Sequence, residues 1–205
     1  NNYNIMKITT INTLFILGAT LSFTSCGGLG GESIYDLDKA GEALEIQKEI
    51  IEKVGDLETY EINMTSQGEL ETSLDWVSVS SVKDETTVLE TTCQLIGTGE
   101  TTSDIEDNAF FVENYIKDGS KKLSEIDFDL VQKNFDAAKA LIPAEYVDHS
   151  LYSYTIEFDE GKRADTFIIN ALQKDESDHM EGNNIVTNYY EFIFSMAEDG
   201  SLTFE

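Results

Sequence analysis

The spacing of apolar residues along the chain predicts two amphipathic helices. In the first, apolar residues recur every three or four positions over about 39–54, and Gly55 follows as a residue that commonly ends a helix. In the second, Ser124 and Asp127 have the spacing of an N-terminal capping box, and Pro143, the only proline, lies at the end. The stripe residues expected in the core are Ala43, Ile46, Ile50, Val54, Phe128, Val131, Phe135, Ala138 and Ile142.

Each predicted helix is followed by segments in which apolar and polar residues alternate, which is the period of a half-buried strand. Turn-forming residues, such as Gln67-Gly68 and Glu160-Gly161, separate these segments. Residues 98–123 fit either a strand or a helix. The predicted strands are 59–66, 74–82, 86–97, 151–158, 164–173, 187–196 and 202–205.

The order helix, strand, strand, strand occurs twice, and this repetition decides the predicted fold. Consecutive strands joined by short turns form antiparallel sheets, and an amphipathic helix covers one face of such a sheet. We therefore expect an α+β fold of two repeated helix-plus-antiparallel-sheet units of the αβββ type, with the helices on one face. The expected units are 37–123, which includes a variable connection, and 124–205. They either share one long sheet or pack as a pair.

An apolar run at 11–23 lies shortly before Cys26. The run is shorter than the roughly 20 apolar residues that a membrane-spanning helix needs. A positively charged start at Met6-Lys7, an apolar centre and small residues at the end are typical of a secretory signal. The segment from Phe23 to Cys26 resembles the lipobox of bacterial lipoproteins. An ordinary secretory signal and a buried apolar strand are the alternatives.

The resemblance to lipoproteins implies a cellular location. In that family the chain is cut before the cysteine, which then carries the lipid, so residues 1–25 would be upstream sequence and a cleaved signal peptide. Cys26 would be the lipid attachment site, and the glycine-rich residues 26–36 would form a flexible tether. Several acyl chains anchor a protein stably to a membrane that it does not span. Glycine rather than aspartate at Gly27 favours the outer membrane, with the domain facing the periplasm or the cell surface.

The composition indicates an acidic globular protein. The chain has a formal net charge of −27, 40% apolar residues, and 11 Phe with 9 Tyr. This many aromatic residues are typical of a packed core and unlike a disordered acidic tail. The negative charge makes nucleic acid an unfavourable partner because phosphate backbones are repelled. Cys93, the only other cysteine, shares a strand face with Leu89 and Leu95 and is expected to be a small core residue.

The sequence contains no recognisable catalytic or cofactor motif. A phosphate loop, a dinucleotide fingerprint, a nucleophile elbow and paired histidines on a helix are all missing. We therefore expect no enzymatic activity and no cofactor beyond the covalent lipid. We also expect no metal, since the one weak calcium candidate, Asp175 with Asp178 and Glu181, lacks the spacing of an EF-hand loop.

Two predicted strands carry apolar residues on both faces. One face would be covered by a helix, so the other needs either a second layer from the other half of the chain or another protein. The possible partner surface comprises Trp76, Val77, Val79, Tyr189 and Ile193. In architecture, the repeated layout is similar to the small repeated modules of periplasmic inhibitors and PepSY-type domains. For the function we expect a non-enzymatic binding or accessory module for an envelope protein partner. A ligand-carrying or structural lipoprotein is the alternative, and an enzyme whose site is not visible in sequence is less expected.

Overall fold

The described residues of the chain fold around one 11-stranded antiparallel sheet in the computed structural model. The residues described are 6–13, 35–39, 41–84, 87–95, 101–107, 119–159, 161–175, 179–181, 184–197 and 199–204. The strands are β1 (Met6–Thr13), β2 (Glu58–Ser66), β3 (Leu74–Val82), β4 (Thr87–Gln94), β5 (Thr101–Asp107), β6 (Lys121–Lys122), β7 (Tyr146–Asp159), β8 (Lys162–Gln173), β9 (His179–Glu181), β10 (Asn184–Met196) and β11 (Leu202–Phe204).

The strand order shows that the prediction of two repeated helix-plus-sheet units is wrong. The sheet runs β1-β10-β8-β7-β2-β3-β4-β5, with β6, β9 and β11 as short additions. At its centre β2 pairs with β7, with Ile62 opposite Ile156 and Met64 opposite Tyr154. Separate units would each leave a strand edge with unpaired backbone groups. Pairing β2 with β7 joins these edges, and one continuous sheet results.

Two α-helices lie among the described residues, α1 (Glu42–Val54) and α2 (Asp129–Lys139). The predicted end of α1 is confirmed: Gly55 has φ 90° and its N–H donates to the Ile51 carbonyl at 2.9 Å. This backbone conformation is one that glycine adopts without strain. Both helices contribute to a single core cluster with the sheet, so they share one of its faces.

The predicted capping box at the start of α2 does not form. The Ser124 N–H and hydroxyl instead donate to the two carboxylate oxygens of Asp56, each at 2.9 Å. The Asp127 carboxylate accepts from the N–H of Asp129 at 3.0 Å. Residues Leu123–Glu125 form a short 3₁₀ turn that precedes the helix. A partner distant in sequence therefore replaced the local one at Ser124.

A row of buried side chains crosses the sheet beneath the helices. Its members face each other strand by strand through the antiparallel register. The row consists of Cys93, Val77, Met64, Tyr154, Phe167 and Phe194, each at most 1% exposed. The prediction that Cys93 is a small core residue is thus confirmed. The rings stack along the row, with 5.1 Å between the centroids of Tyr154 and Phe167.

The two ends of the sheet come from segments whose structure the sequence left open. Residues 101–107 form β5, so the first part of the ambiguous segment is a strand, while 108–118 fall outside the described residues. At the other end β1 pairs with β10 and lies within the segment that the lipoprotein resemblance assigns to a signal peptide. Cys26 falls outside the described residues, so lipid attachment stays a prediction. Among the helices described, none is long and apolar enough to cross a membrane.

Gly119 makes a close backbone contact with the turn between β7 and β8, and replacing it is expected to destabilise the fold. A Cβ at Gly119 would lie 2.6 Å from the Gly161 Cα, and Gly119 has φ +88°. We expect Gly119→Ala to lower the free energy of unfolding by about 2–4 kcal/mol, combining backbone strain with the clash. Urea denaturation measures this loss.

Gly200 provides the matched control for this substitution. It also has a positive φ, +79°, but a Cβ there would meet nothing within 4 Å. Gly200→Ala should therefore cost only about 1 kcal/mol, the backbone contribution alone. Equal losses in the two variants would show that the contact with Gly161 contributes nothing to stability.

Candidate ligand-binding cleft

A cleft of about 410 Å³ opens between α2, the segment before it, and the ends of three strands. Ligand sites in proteins usually measure 300–1,000 Å³ and combine apolar walls with a few placed polar groups. The apolar walls of this cleft are formed by Ile126, Leu130, Phe158 and Met196. Its size and its lining therefore match those of a small-molecule site.

The floor of the cleft contains an acidic side chain on the covered face of the sheet. Asp165 lies on β8 between Ile156 of β7 and Met196 of β10, and it is 2% exposed. Along β8, Phe167 and Ile169 follow on the same face by the two-residue alternation of a strand. A buried carboxylate is costly unless it is paired and hydrogen-bonded, so its partners determine whether this position is stable.

Three side chains hold the Asp165 carboxylate. On one oxygen, the Tyr154 hydroxyl donates at 2.5 Å and the Asn134 side-chain amide donates at 2.9 Å. The same amide nitrogen of Asn134 lies 2.7 Å from the Tyr154 hydroxyl. On the other oxygen, the Arg163 Nε–H donates at 2.7 Å. Helix α2 and strands β7 and β8 therefore meet at one buried polar network.

Arg163 is the only arginine of the chain and joins this network to the cleft. Its side chain is 12% exposed, and its Nη1–H donates to the Asp127 carbonyl just before α2. Its third nitrogen, Nη2, is buried and has no hydrogen-bond partner among the described residues. An unsatisfied buried donor on a charged group costs on the order of 1–3 kcal/mol or more. Because Nη2 is closed to solvent in the structure, a ligand oxygen in the cleft would remove this cost only after a small shift of the guanidinium or of the cleft lining.

The Tyr154 hydroxyl is held in its protonated form. Burial raises its pKa well above the usual value, and the adjacent Asp165 carboxylate raises the pKa further. A protonated phenol can donate one hydrogen bond, and here that proton points to Asp165. The network therefore places three donor side chains around one carboxylate, and this arrangement positions Arg163.

The rim of the cleft is charged. The Lys121 ammonium lies 5.3 Å from the centre of the Phe158 ring, a distance at which a cation is attracted to an aromatic face. The carboxylates of Glu125 and Asp127 also line the opening. The cleft is thus lined by two cationic residues, Lys121 and Arg163, and by three acidic residues, Glu125, Asp127 and Asp165.

The predicted partner surface divides between the two faces of the sheet. Val77 and Val79 are 0% exposed and belong to the core under the helices, so they cannot form an exposed surface. Tyr189 is 3% exposed and is buried as well. Trp76 and Ile193 are half-buried and lie in one cross-strand row on the face opposite the helices. This outer row consists of Gln94, Trp76, Thr65, Ser153, Ile168 and Ile193.

Two glutamates oppose each other on the same outer face, and neutralising one is expected to stabilise the protein. Burial raises the pKa of Glu61, and the nearby carboxylates of Glu157 and Glu90 raise it further. The folded state therefore holds this proton more tightly than the unfolded state, so stability falls as the pH rises above about 4.5. Glu61→Gln should gain about 0.5–1 kcal/mol at pH 7 and much less near pH 4, measured by urea denaturation at both pH values.

Glu52 supplies the control for the glutamate substitution. It is an exposed residue of α1, and its replacement by glutamine removes the same charge. Glu52→Gln should leave the stability difference between the two pH values unchanged. A gain in Glu61→Gln that was independent of pH would contradict the proposed repulsion.

The weak calcium candidate is only partly described. Asp175 lies in the turn after β8, and Glu181 ends β9, opposite Asn184. Asp178 falls outside the described residues. Within the described part of the chain, no group of three His, Cys, Asp or Glu side chains could hold a metal ion. The expectation that these residues hold no metal therefore stays a prediction.

The cleft was not predicted from the sequence, although two signals pointed to it. Arg163 stands out as the single arginine in a chain with a net charge of −27. Asp165 occupies an inward position in the alternation that also places Phe167 and Ile169 in the core. An acid at an apolar position, two residues from the only arginine, indicates a buried ion pair. Their meeting with Asn134 depends on how α2 packs on the sheet.

Comparison with known proteins gives no assignment: no protein family, curated protein or solved structure matches this chain.

Proposed function

We propose that this protein is a non-enzymatic binding module that takes a small carboxylate-bearing ligand into the Arg163 cleft. The observation that carries the proposal is the buried Nη2 of Arg163, which has no partner among the described residues. A carboxylate accepts hydrogen bonds from guanidinium in a planar, charge-assisted geometry. Lys121 also lines the cleft and adds a second positive charge.

The body of the ligand is expected to be apolar. Ile126, Leu130 and Phe158 form walls that a hydrocarbon chain can contact without losing polar interactions. The volume of about 410 Å³ lies within the range of sites that bind small molecules. A medium-chain fatty acid such as octanoate combines the charge and the size that the cleft accommodates.

The cellular context of this proposal is a lipoprotein of the cell envelope. Lipid attachment at Cys26 and outer-membrane location, facing the periplasm or the surface, follow from the lipobox resemblance and stay proposals. The acidic charge and the globular core are compatible with a domain held away from an anionic membrane by a tether. Of the two expected functions, a ligand carrier and an accessory subunit for a protein partner, the cleft favours the ligand carrier.

A protein partner remains the second candidate function, because the outer row holds Trp76, Ile168 and Ile193 on one face. A photo-crosslinking residue at position 76 should then capture one envelope protein in cells. The same residue at Lys83, an exposed position after β3, should not capture it. Identical capture at both positions would contradict a specific surface.

Calorimetric titration with octanoate tests the proposed function. From the ligand efficiency of molecules of this size, we expect a dissociation constant of about 1 mM. Octanol has the same chain without the charge, and octylamine has the opposite charge. Both should bind at least about tenfold more weakly, because only the carboxylate can accept from Arg163 with charge assistance. Equal affinity for all three ligands, or no binding of octanoate, would exclude a carboxylate site.

A further inference from the structure

Strand β10 has two sides, and β1 covers a long part of one of them. Tyr190 pairs with Ala171 of β8 and with Lys7 of β1, so β8 and β1 lie on opposite sides of β10. At Phe194, β8 and β11 are likewise on opposite sides. β1 and β11 therefore share one side, where β1 pairs with residues 184–191 and β11 with 194–196.

Cleavage before Cys26 would remove β1 and open this side of β10. The exposed stretch 184–191 reads Asn-Ile-Val-Thr-Asn-Tyr-Tyr-Glu. Proteins normally protect an open strand edge with lysine, proline or a bulge, because unpaired backbone groups recruit other strands. This stretch contains no lysine and no proline, and its pairing with β1 runs in register without a bulge. It is therefore an edge that can accept another strand along its whole length.

We infer that residues 184–191 are a strand-addition site that receives an extended segment of a partner protein after residues 6–13 have been removed. The inference rests on cleavage before Cys26 and is independent of the Arg163 cleft. In the full chain β1 occupies the site, which shows that an antiparallel strand fits there. Such binding takes its affinity from backbone hydrogen bonds and its specificity from alternate side chains.

The charge of the chain indicates which segment would bind. Residues 6–13, Met-Lys-Ile-Thr-Thr-Ile-Asn-Thr, contain one lysine and no acid. Cleavage before Cys26 removes Lys7 and no acid, so each cleaved copy is even more negative than the full chain with its net charge of −27, and this repulsion opposes self-association. A neutral or basic segment, like β1 itself with its single lysine and no acid, avoids this cost. The expected partner is therefore a different protein that presents such a segment.

Hydrogen exchange on the full chain tests the site with a defined probe. Successive N–H groups of a strand point to opposite sides. Replacing two consecutive residues, Ile8→Pro and Thr9→Pro, therefore always removes one N–H that points toward β10. The matched control is Ile8→Ala/Thr9→Ala. The probe is a synthetic peptide of residues 6–13. The proline variant should exchange the outward amides of 184–191 about tenfold or more faster than the control, and the peptide should restore slow exchange.

The possible outcomes separate the partner from its alternatives. The inference would be overturned if the peptide failed to restore slow exchange both in the proline variant and in a chain that begins at position 26 with Cys26→Ser. If either protein self-associates and the peptide does not reverse the association, the strand that binds there belongs to a second copy of the chain and not to a different protein. Mass spectrometry that finds residues 6–13 still attached to the protein extracted from cells would also overturn the inference. None of these outcomes affects octanoate titration, which reports on the cleft alone.

Discussion

Replacing Asp165 with alanine is expected to lower the free energy of unfolding by about 3–5 kcal/mol, the cost of breaking a buried ion pair by removing one partner. The Asp165 carboxylate accepts hydrogen bonds from Tyr154, Asn134 and Arg163, and all three side chains are largely buried. Without the carboxylate, the Arg163 guanidinium would keep its charge with no counterion beneath the helix. Urea denaturation followed by circular dichroism measures the loss.

Two further variants separate the contributions to this loss. Asp165→Asn keeps an oxygen acceptor and removes the charge, so it should lose less than Asp165→Ala. Tyr154→Phe removes one hydrogen bond to Asp165 and should cost about 1–3 kcal/mol. Glu157→Ala, at an exposed position of β7, removes an acid outside the network and should cause no loss. Similar small losses in Asp165→Ala and Glu157→Ala would show that the network does not stabilise the fold.

Replacing Arg163 with lysine is expected to weaken octanoate binding by about tenfold or more while the protein stays folded. Lysine keeps a positive charge beside Asp165, so the ion pair survives in part. Its single ammonium cannot bond Asp165, the Asp127 carbonyl and a ligand carboxylate in the planar arrangement that guanidinium allows. Calorimetric titration measures the affinity, and the thermal unfolding midpoint checks the fold.

Lys162 gives the control for the arginine substitution. It is the preceding residue on β8 and is exposed, so its side chain lies outside the cleft. Lys162→Gln changes the net charge by one unit and should leave the octanoate affinity unchanged. A loss of affinity equal to that of Arg163→Lys would point to general electrostatic attraction rather than to a specific carboxylate contact.

Local sequence patterns predicted those features that depend on neighbours in the chain. The apolar stripe of α2 is buried in the structure at Phe128, Val131 and Phe135. Gly55 ends α1 as expected, because a glycine there can adopt a positive φ. The alternation in β4 placed Cys93 in the core. These features follow from the helix and strand periods, which involve residues only a few positions apart in the chain.

Features that depend on distant residues were predicted less well. Ser124 had a plausible local partner three residues on, but it bonds Asp56 instead, and the capping box is absent. Val77 and Val79 were assigned to a possible outer surface, whereas the helices cover that face. In each case the local pattern was compatible with two arrangements. The packing of an element far along the chain decided which of them formed.

The candidate site illustrates the same division. The sequence contains the single arginine and an acid at an inward strand position, so a buried ion pair could have been predicted from β8 alone. The partners on α2 and β7 could not, because Asn134 and Tyr154 reach Asp165 only after the helix has packed on the sheet. The unpartnered Nη2 of Arg163 is likewise a property of that packing.

The sequence by itself determined both described helices and the longer strands of the middle of the sheet, because hydrophobic period, glycine and proline act within a few residues. It also determined the acidic charge and the resemblance of its first residues to a lipoprotein signal. Only the tertiary structure decided that β2 and β7 join all strands into one sheet and that residues 6–13 can extend it at β10. The unpaired N–H and C=O groups at a strand edge need hydrogen-bond partners, and the strand that supplies them can lie far away in the chain.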